Sequence, residues 1–342
     1  MLKQTTEKIH HHDVTIINVE TPDMKFKCMS LGATILDIQT KDHSGKFESV
    51  VMQFDSLSQY DHNKLFLNQI IGPTAGRLPE GPYTFGGEEI TLNLNNGNAH
   101  LHGGRYGIMN INFDVEVTEE NSETRITFKT SSDQESFYPG VQTFKITYTI
   151  KGSSFTIDFE ADTTAETLIN LTSHLYFNLR GNMKESVLHQ VLHMTADRYL
   201  ALDDDFIPVT IKPVTGTHLD FNHPSLIGNH MTKEILAKPE KGIDNPLLFG
   251  DKKEINLYDP TSKRSLMITT DYPSVVVYTD NHNQGYTFKH MTDRVLHMGI
   301  CFETQLPPNG IHIPGCEDGI LSGGEHYHYT THYRFDVTQS YD

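Results

Sequence analysis

The chain has 342 residues, 37% of them hydrophobic, and a formal net charge of −17, which gives enough apolar material for a large core but the wrong sign for a phosphate-binding surface. No lysine or arginine stripe offsets that charge, so a nucleic-acid partner is excluded and a neutral small molecule fits better. No apolar run is long enough to span a bilayer and the amino-terminal MLKQTTEKIH lacks an apolar signal core, so the expectation is a cytoplasmic protein without membrane association.

Along the chain the dominant hydrophobic period is two, the signature of half-buried strands. The triplet His10, His11 and His12 runs directly into the strand-like DVTIINVE and reads as native sequence rather than a tag. MKFKCMS, ATILDIQT and FDVEVTEENSETRITFKT alternate in the same way, separated by Gly, Asn, Asp and Ser clusters that supply turns. FKITYTIKGSSFTIDFEADT predicts a long hairpin: Phe144, Ile146, Tyr148 and Ile150 share one face, and Phe155, Ile157, Phe159 and Ala161 share it after the turn KGSS. KESVLHQVL, near residues 184 to 192, reads as a short helix or an irregular crossing, and SLMITTDYPSVVVYT resumes the strand pattern.

Many amphipathic strands and almost no helical period require sheets that pack on one another. The expected fold is therefore all-β, a large and mostly antiparallel β-sandwich. No linker, charge block or fixed-period repeat divides the sequence, so one domain over residues 1–342 is expected. Cys28, Cys301 and Cys316 are too few and too scattered for a disulfide framework or a metal knuckle.

The candidate chemistry is dispersed. In NAHLHGGRYG, strand alternation puts His100 and His102 on one face with Leu101 opposite, followed by Gly103 and Gly104. By itself that pair suits a metal site, an acid/base site or ordinary polar surface. LINLTSHLYFNLRGN contributes His174, GICFETQLPPNG contributes Glu303, GPTAGRLPEG contributes Arg77 and KGIDNPLLF places Asp244 in a loop. His326, His328 and His332 in GEHYHYTTH raise the question of zinc, but His326 and His328 alternate with tyrosines as strand-surface residues do, and no metal is expected there.

Taken together, these blocks resemble the aldose 1-epimerase (galactose mutarotase) family. NLTSHLYFNLRGN is similar to its N-L-T-x-H-x-Y-F-N-L block, HLHGGRYG to its L-H-G-G block and CFETQ to its C-L-E-x-Q block. ADRYLALDDDFIPV with GTHLDF and the terminal GGEHYHYTTHYRF resemble two further family stretches in the same order, over roughly residues 70 to 335. The resemblance implies a galactose-mutarotase-like supersandwich that interconverts the α and β anomers of free aldoses such as galactose or glucose, with no metal or other cofactor. It makes Glu303 the general base and His174 the general acid, His102 a partner of the ring oxygen, Arg77 and Asp244 contacts to sugar hydroxyls, and Tyr176 a pocket wall.

The residue types suit that chemistry, since a carboxylate and an imidazole together supply base and acid near neutrality. Asn245 and Val276 stand where the family often has histidine and glutamine, and no tryptophan is present. Those departures touch the pocket wall and bear on the preferred sugar. A hexose-6-phosphate 1-epimerase and a non-catalytic sugar-binding protein are the alternatives; the first would need a cationic pocket, and the second could dispense with His174 or Glu303.

Overall fold

In the computed structural model, which describes residues 1–132, 138–282, 285–291 and 295–339, the period-two segments become antiparallel strands in register. Phe144 pairs with Ala161, Ile146 with Phe159, Tyr148 with Ile157 and Ile150 with Phe155, so all eight apolar residues of the predicted hairpin lie on one buried face. His10 and His11 form the turn between the strands Leu2–Ile9 and His12–Glu20.

Three large sheets carry the architecture. A five-stranded meander begins the chain, a nine-stranded sheet contains the long hairpin and the strand His326–Val337, and a six-stranded sheet holds Ile300–Gln305. In spatial order the last sheet runs Tyr176–Phe177, Ile300–Gln305, Ser274–Tyr278, Asp244–Phe249, Ala196–Leu202 and Pro208–Pro213. The neighbouring pairs in this row are antiparallel. Helix is scarce; Lys233–Ala237 is a single short α-helix. Among the described residues no helix is long and apolar enough to cross a membrane.

The six-stranded sheet is amphipathic in an unusual sense, because both of its faces are covered. Val275, Val277, Ile300 and Phe302 point into the main core, which they share with Phe155, Phe159 and Tyr333 of the nine-stranded sheet and Phe26 of the meander. Phe155 and Tyr333 stack with ring centroids 4.4 Å apart, and each such fully buried side chain contributes about 1.5–3 kcal/mol. The intervening residues Val276, Tyr278, Cys301 and Glu303 turn to the opposite face, where the functional cavity lies.

The segment 184 to 192 resolves into a 3-10 turn at Val187–His189 followed by the strand Val191–Met194, which pairs with Glu254–Tyr258. Gln190, fully buried between them, donates to Asn178 and accepts from the Leu179 amide. A buried polar anchor of this kind outweighs the weak helical pattern.

Candidate active site

The register of the six-stranded sheet sets out a grid of side chains on its cavity face. One row reads Asp244, Tyr278, Cys301, Tyr176, and the row beside it begins Pro246, Val276, Glu303. His174, two residues before Tyr176, completes the second row next to Glu303. Its backbone is clamped at both ends, the amide donating to the Gln69 carbonyl and its own carbonyl accepting from Asn68. Its ring stacks on Tyr176 at 5.1 Å and 25°.

This brings Nε2 of His174 to 3.6 Å from Oε1 of Glu303, with both side chains buried. Oε2 of Glu303 is also buried and has no hydrogen-bond partner among the described residues. A buried carboxylate oxygen left this way costs on the order of 1–3 kcal/mol until something supplies a donor. A hydroxyl bound in the cavity would do so.

His102 arrives from another part of the chain. Its amide donates to the Gly76 carbonyl and its Nδ1 accepts from the Gly76 amide at 3.2 Å, so its imidazole is locked to the segment carrying Arg77. The His102 and His174 rings meet edge to face at 5.5 Å. The expected sharing of a face by His100 and His102 does not hold. The strand ends at Leu101, and His102 adopts φ 55°, which rotates its side chain away from strand alternation. His100 is fully buried elsewhere, with Nδ1 on the Asn93 carbonyl and Nε2 on the Tyr138 hydroxyl. The glycines that follow serve close approach of protein, not ligand: a Cβ on Gly103 would lie 2.3 Å from the Gly72 carbonyl oxygen.

Asp244 opens the strand Asp244–Phe249 rather than sitting in a loop. Arg77 reaches its Oδ2 through two guanidinium nitrogens, each at 3.4 Å, donates through Nε to Asn96, and lies over the Phe206 ring. Tyr176 lines the cavity, but its hydroxyl donates to the Leu65 carbonyl, which leaves the ring rather than the polar tip for contact. The cavity, about 360 Å³, thus gathers Arg77, His102, His174, Tyr176, Asp244 and Glu303. It adds Lys64, Phe66, Phe206, Tyr278 and Val276, the first four of which the sequence reading missed. Tyr278 had a signal, since it alternates with Val276. Phe66 had none; it sits at φ 53° and packs 4.7 Å from His102 and 6.0 Å from His174.

Burial dominates the electrostatics. It pushes the Glu303 carboxyl well above its ordinary range, with the Asp244 charge adding to the effect and Arg77 opposing it. It lowers His174 to about 3, and holds His102 well below the usual imidazole value with His174 and Arg77 contributing. Burial thus disfavours the charged form of both groups, and a proton held by the pair can sit on either, 3.6 Å apart. The form GluH/His and the form Glu⁻/HisH⁺ differ only in where that proton sits.

Ligand atoms of His102, His174 and Glu303 lie within 4.8 Å of one another, a donor set that in composition suits a divalent metal. The hydrogen bond from the Gly76 amide to His102 Nδ1 opposes that use. It leaves the ring hydrogen of neutral His102 on Nε2, making that nitrogen a donor to oxygen rather than a lone pair for a cation. His326 and His328 lie on the strand His326–Val337, where His326 Nδ1 is 2.9 Å from Asp162 and His328 Nε2 is 3.5 Å from Asp158.

A cavity on a scaffold of three large β-sheets, holding a buried histidine–carboxylate pair and an arginine–aspartate pair, fits an isomerase of the mutarotase type. The aldose 1-epimerase family profile matches residues 15–334, and the chain belongs to that family. It is 32% identical to galactose mutarotase of Mus musculus over 316 residues, 90% of each chain, and 30% identical to that of Homo sapiens over 322 residues, 92% of each. The structure of galactose 1-epimerase from Lactobacillus acidophilus superposes with a TM-score of 0.84 at 25% identity, covering 98% of each chain. The protein is an aldose 1-epimerase, an enzyme that interconverts sugar anomers.

Proposed function

We propose that Glu303 is the base and His174 the acid of anomer interconversion on free hexoses such as galactose and glucose. The observation that carries this is the 3.6 Å pairing of His174 Nε2 with Glu303 Oε1 on the floor of the cavity. Bound sugar places its O1 hydroxyl at Glu303 and its ring oxygen O5 at His174. Glu303 takes the O1 proton as C1–O5 breaks and C1=O1 forms, while the imidazolium Nε2–H passes its proton to O5. The open chain turns about C1–C2. On reclosure O5 attacks the other face of C1, His174 recovers the O5 proton and Glu303 returns its proton to O1.

The proton count of the couple is unchanged throughout. Ring opening converts Glu⁻/HisH⁺ into GluH/His; burial favours the second form in the free enzyme, and hydrogen bonds from the sugar O1 hydroxyl to Glu303 and from His174 to O5 offset the cost of reaching the first. His102 contributes its Nε2–H to O5, Arg77 and Asp244 bind ring hydroxyls, and Tyr176 supplies a wall. Neutral sugars suit the cavity better than phosphorylated ones, since Arg77 is already tied to Asp244 and, among the described residues, Lys64 is the other lysine or arginine lining it. The enzyme works as one unit over residues 1–342 in the cytoplasm. Three free cysteines support a reducing compartment. Polarimetry of freshly dissolved α-galactose and α-glucose tests the proposal: the protein should accelerate relaxation, and Glu303→Gln should abolish most of the acceleration. Full activity in Glu303→Gln would overturn it.

A further inference from the structure

We propose that Val276, together with Pro246, makes the site indifferent to the C2 hydroxyl, so that 2-deoxyhexoses turn over as well as their parent sugars. The inference rests on the reading of Glu303 as the base and His174 as the acid.

That reading fixes two atoms of the bound ring, O1 at Glu303 and O5 at His174. Both are bonded to C1, so stereochemistry decides where the next hydroxyl goes. In galactose and glucose the C2 hydroxyl is equatorial and lies anti to O5 across the C1–C2 bond. With O5 at His174, O2 therefore falls beyond O1, on the side of Glu303 that faces away from His174.

The strand register says what stands there. Glu303 pairs with Val276 and Val276 with Pro246, so the row of side chains continues past the base as valine and then proline. Both residues line the cavity. Neither side chain has an atom that donates or accepts a hydrogen bond. The buried Oε2 of Glu303, without a partner among the described residues, reflects the same lack of donors. The polar groups nearby are engaged in the neighbouring row: Asp244 pairs with Tyr278 across the strands and is held by Arg77, and the Tyr278 hydroxyl accepts from the Asn281 amide.

An apolar wall discriminates poorly at a hydroxyl. A pocket with no partner for it gives up nothing when the hydroxyl is missing, and rejects its presence only weakly. A pocket built around a hydroxyl behaves oppositely, because the deoxy analogue leaves a buried polar group unpaired. Galactose and glucose are thus admitted without recognition at C2, and reading of the ring is left to Arg77 and Asp244.

The test compares galactose with 2-deoxygalactose, and glucose with 2-deoxyglucose, in polarimetric mutarotation assays on the full-length protein. Each kcat/KM is divided by the spontaneous rate constant of the same sugar, which removes its intrinsic reactivity. The corrected values for a 2-deoxy sugar and its parent should agree within about fivefold. Val276→Leu keeps the wall apolar and should leave that ratio unchanged. Val276→Gln sets an amide beside O2 and should shift the ratio by about tenfold or more toward the parent sugars. A larger preference for the parent sugars in the unaltered enzyme overturns the proposal without any variant having to fold. So does an active Val276→Gln enzyme with an unchanged ratio. Glu303→Gln separates this inference from the reading beneath it. Full activity in that variant removes the base assignment and the placement of O2 with it; loss of activity, combined with rejection of 2-deoxy sugars by the unaltered enzyme, removes the C2 inference alone.

Discussion

Two histidine–carboxylate pairs in this molecule have nearly the same geometry and different surroundings. His174 and Glu303 are 3.6 Å apart with side chains 6% and 4% exposed; His328 and Asp158 are 3.5 Å apart with side chains 50% and 29% exposed. An imidazole, a carboxylate and the distance between them are thus shared, and none of these distinguishes the two pairs. At the surface, water solvates both charges and screens their attraction, so the pair contributes little. In the cavity an imidazole and a carboxyl are both buried, and desolvation moves each away from its ordinary proton affinity. Burial is what separates the two pairs, and it is the buried pair to which we assign the chemistry.

The strongest way to break this contrast is Glu303→Gln, which keeps the shape and removes the proposed base. Catalysis should fall on the order of 10² to 10⁴-fold by polarimetry; a loss under about tenfold would assign the base elsewhere.

Arg77→Ala should raise KM by about tenfold or more, since it deletes a charged hydrogen-bond donor and leaves Asp244 without its partner. Because Arg77 opposes the upward shift of Glu303, the same variant should move the alkaline limb of kcat/KM to higher pH.

The pH profile sharpens the comparison directly. The productive couple carries one proton. It gains a second only as pH falls to the His174 value of about 3, and it loses the last as pH rises through the raised value of Glu303. After subtraction of the spontaneous rate, enzyme-dependent mutarotation should therefore persist at and above neutrality, where an ordinary imidazole beside an ordinary carboxylate would already have lost the couple's proton. A fall on the alkaline side centred on 6.5, the unperturbed imidazole value, would show that burial does not govern the pair.

The smallest effect belongs to the exposed pair. His328→Ala should leave kcat/KM within about twofold and thermal stability within about 0.5 kcal/mol.

Much of the scaffold was legible before any coordinates. The hairpin from 142 to 163 follows from alternation alone, because a period of two commits every apolar side chain to one face and the register is then set by burying it. Where local signals compete with tertiary ones the sequence is a poorer guide. Residues 184 to 192 have a faint helical pattern, but Gln190 is held by Asn178 and Leu179, contacts that no local window contains. His100 and His102 look equivalent until the positive φ at His102 separates them, in a conformation that also makes reciprocal bonds to Gly76. Phe66 is invisible for a similar reason: an aromatic with φ 53° gives no pattern, yet it packs on both cavity histidines.

The sequence by itself determined the β architecture, the family and the six residues that meet in the cavity, because hydrophobic period and motif order are properties of the chain read in one dimension. Only the tertiary structure decided which atoms meet. The placement of Cys301 against His174 Nδ1, the commitment of the Tyr176 hydroxyl to Leu65, and the burial that couples Glu303 to His174 all arise between segments far apart in the chain. Proton affinity depends on the dielectric and the partners around a group, and those exist only once the sheets have closed over it.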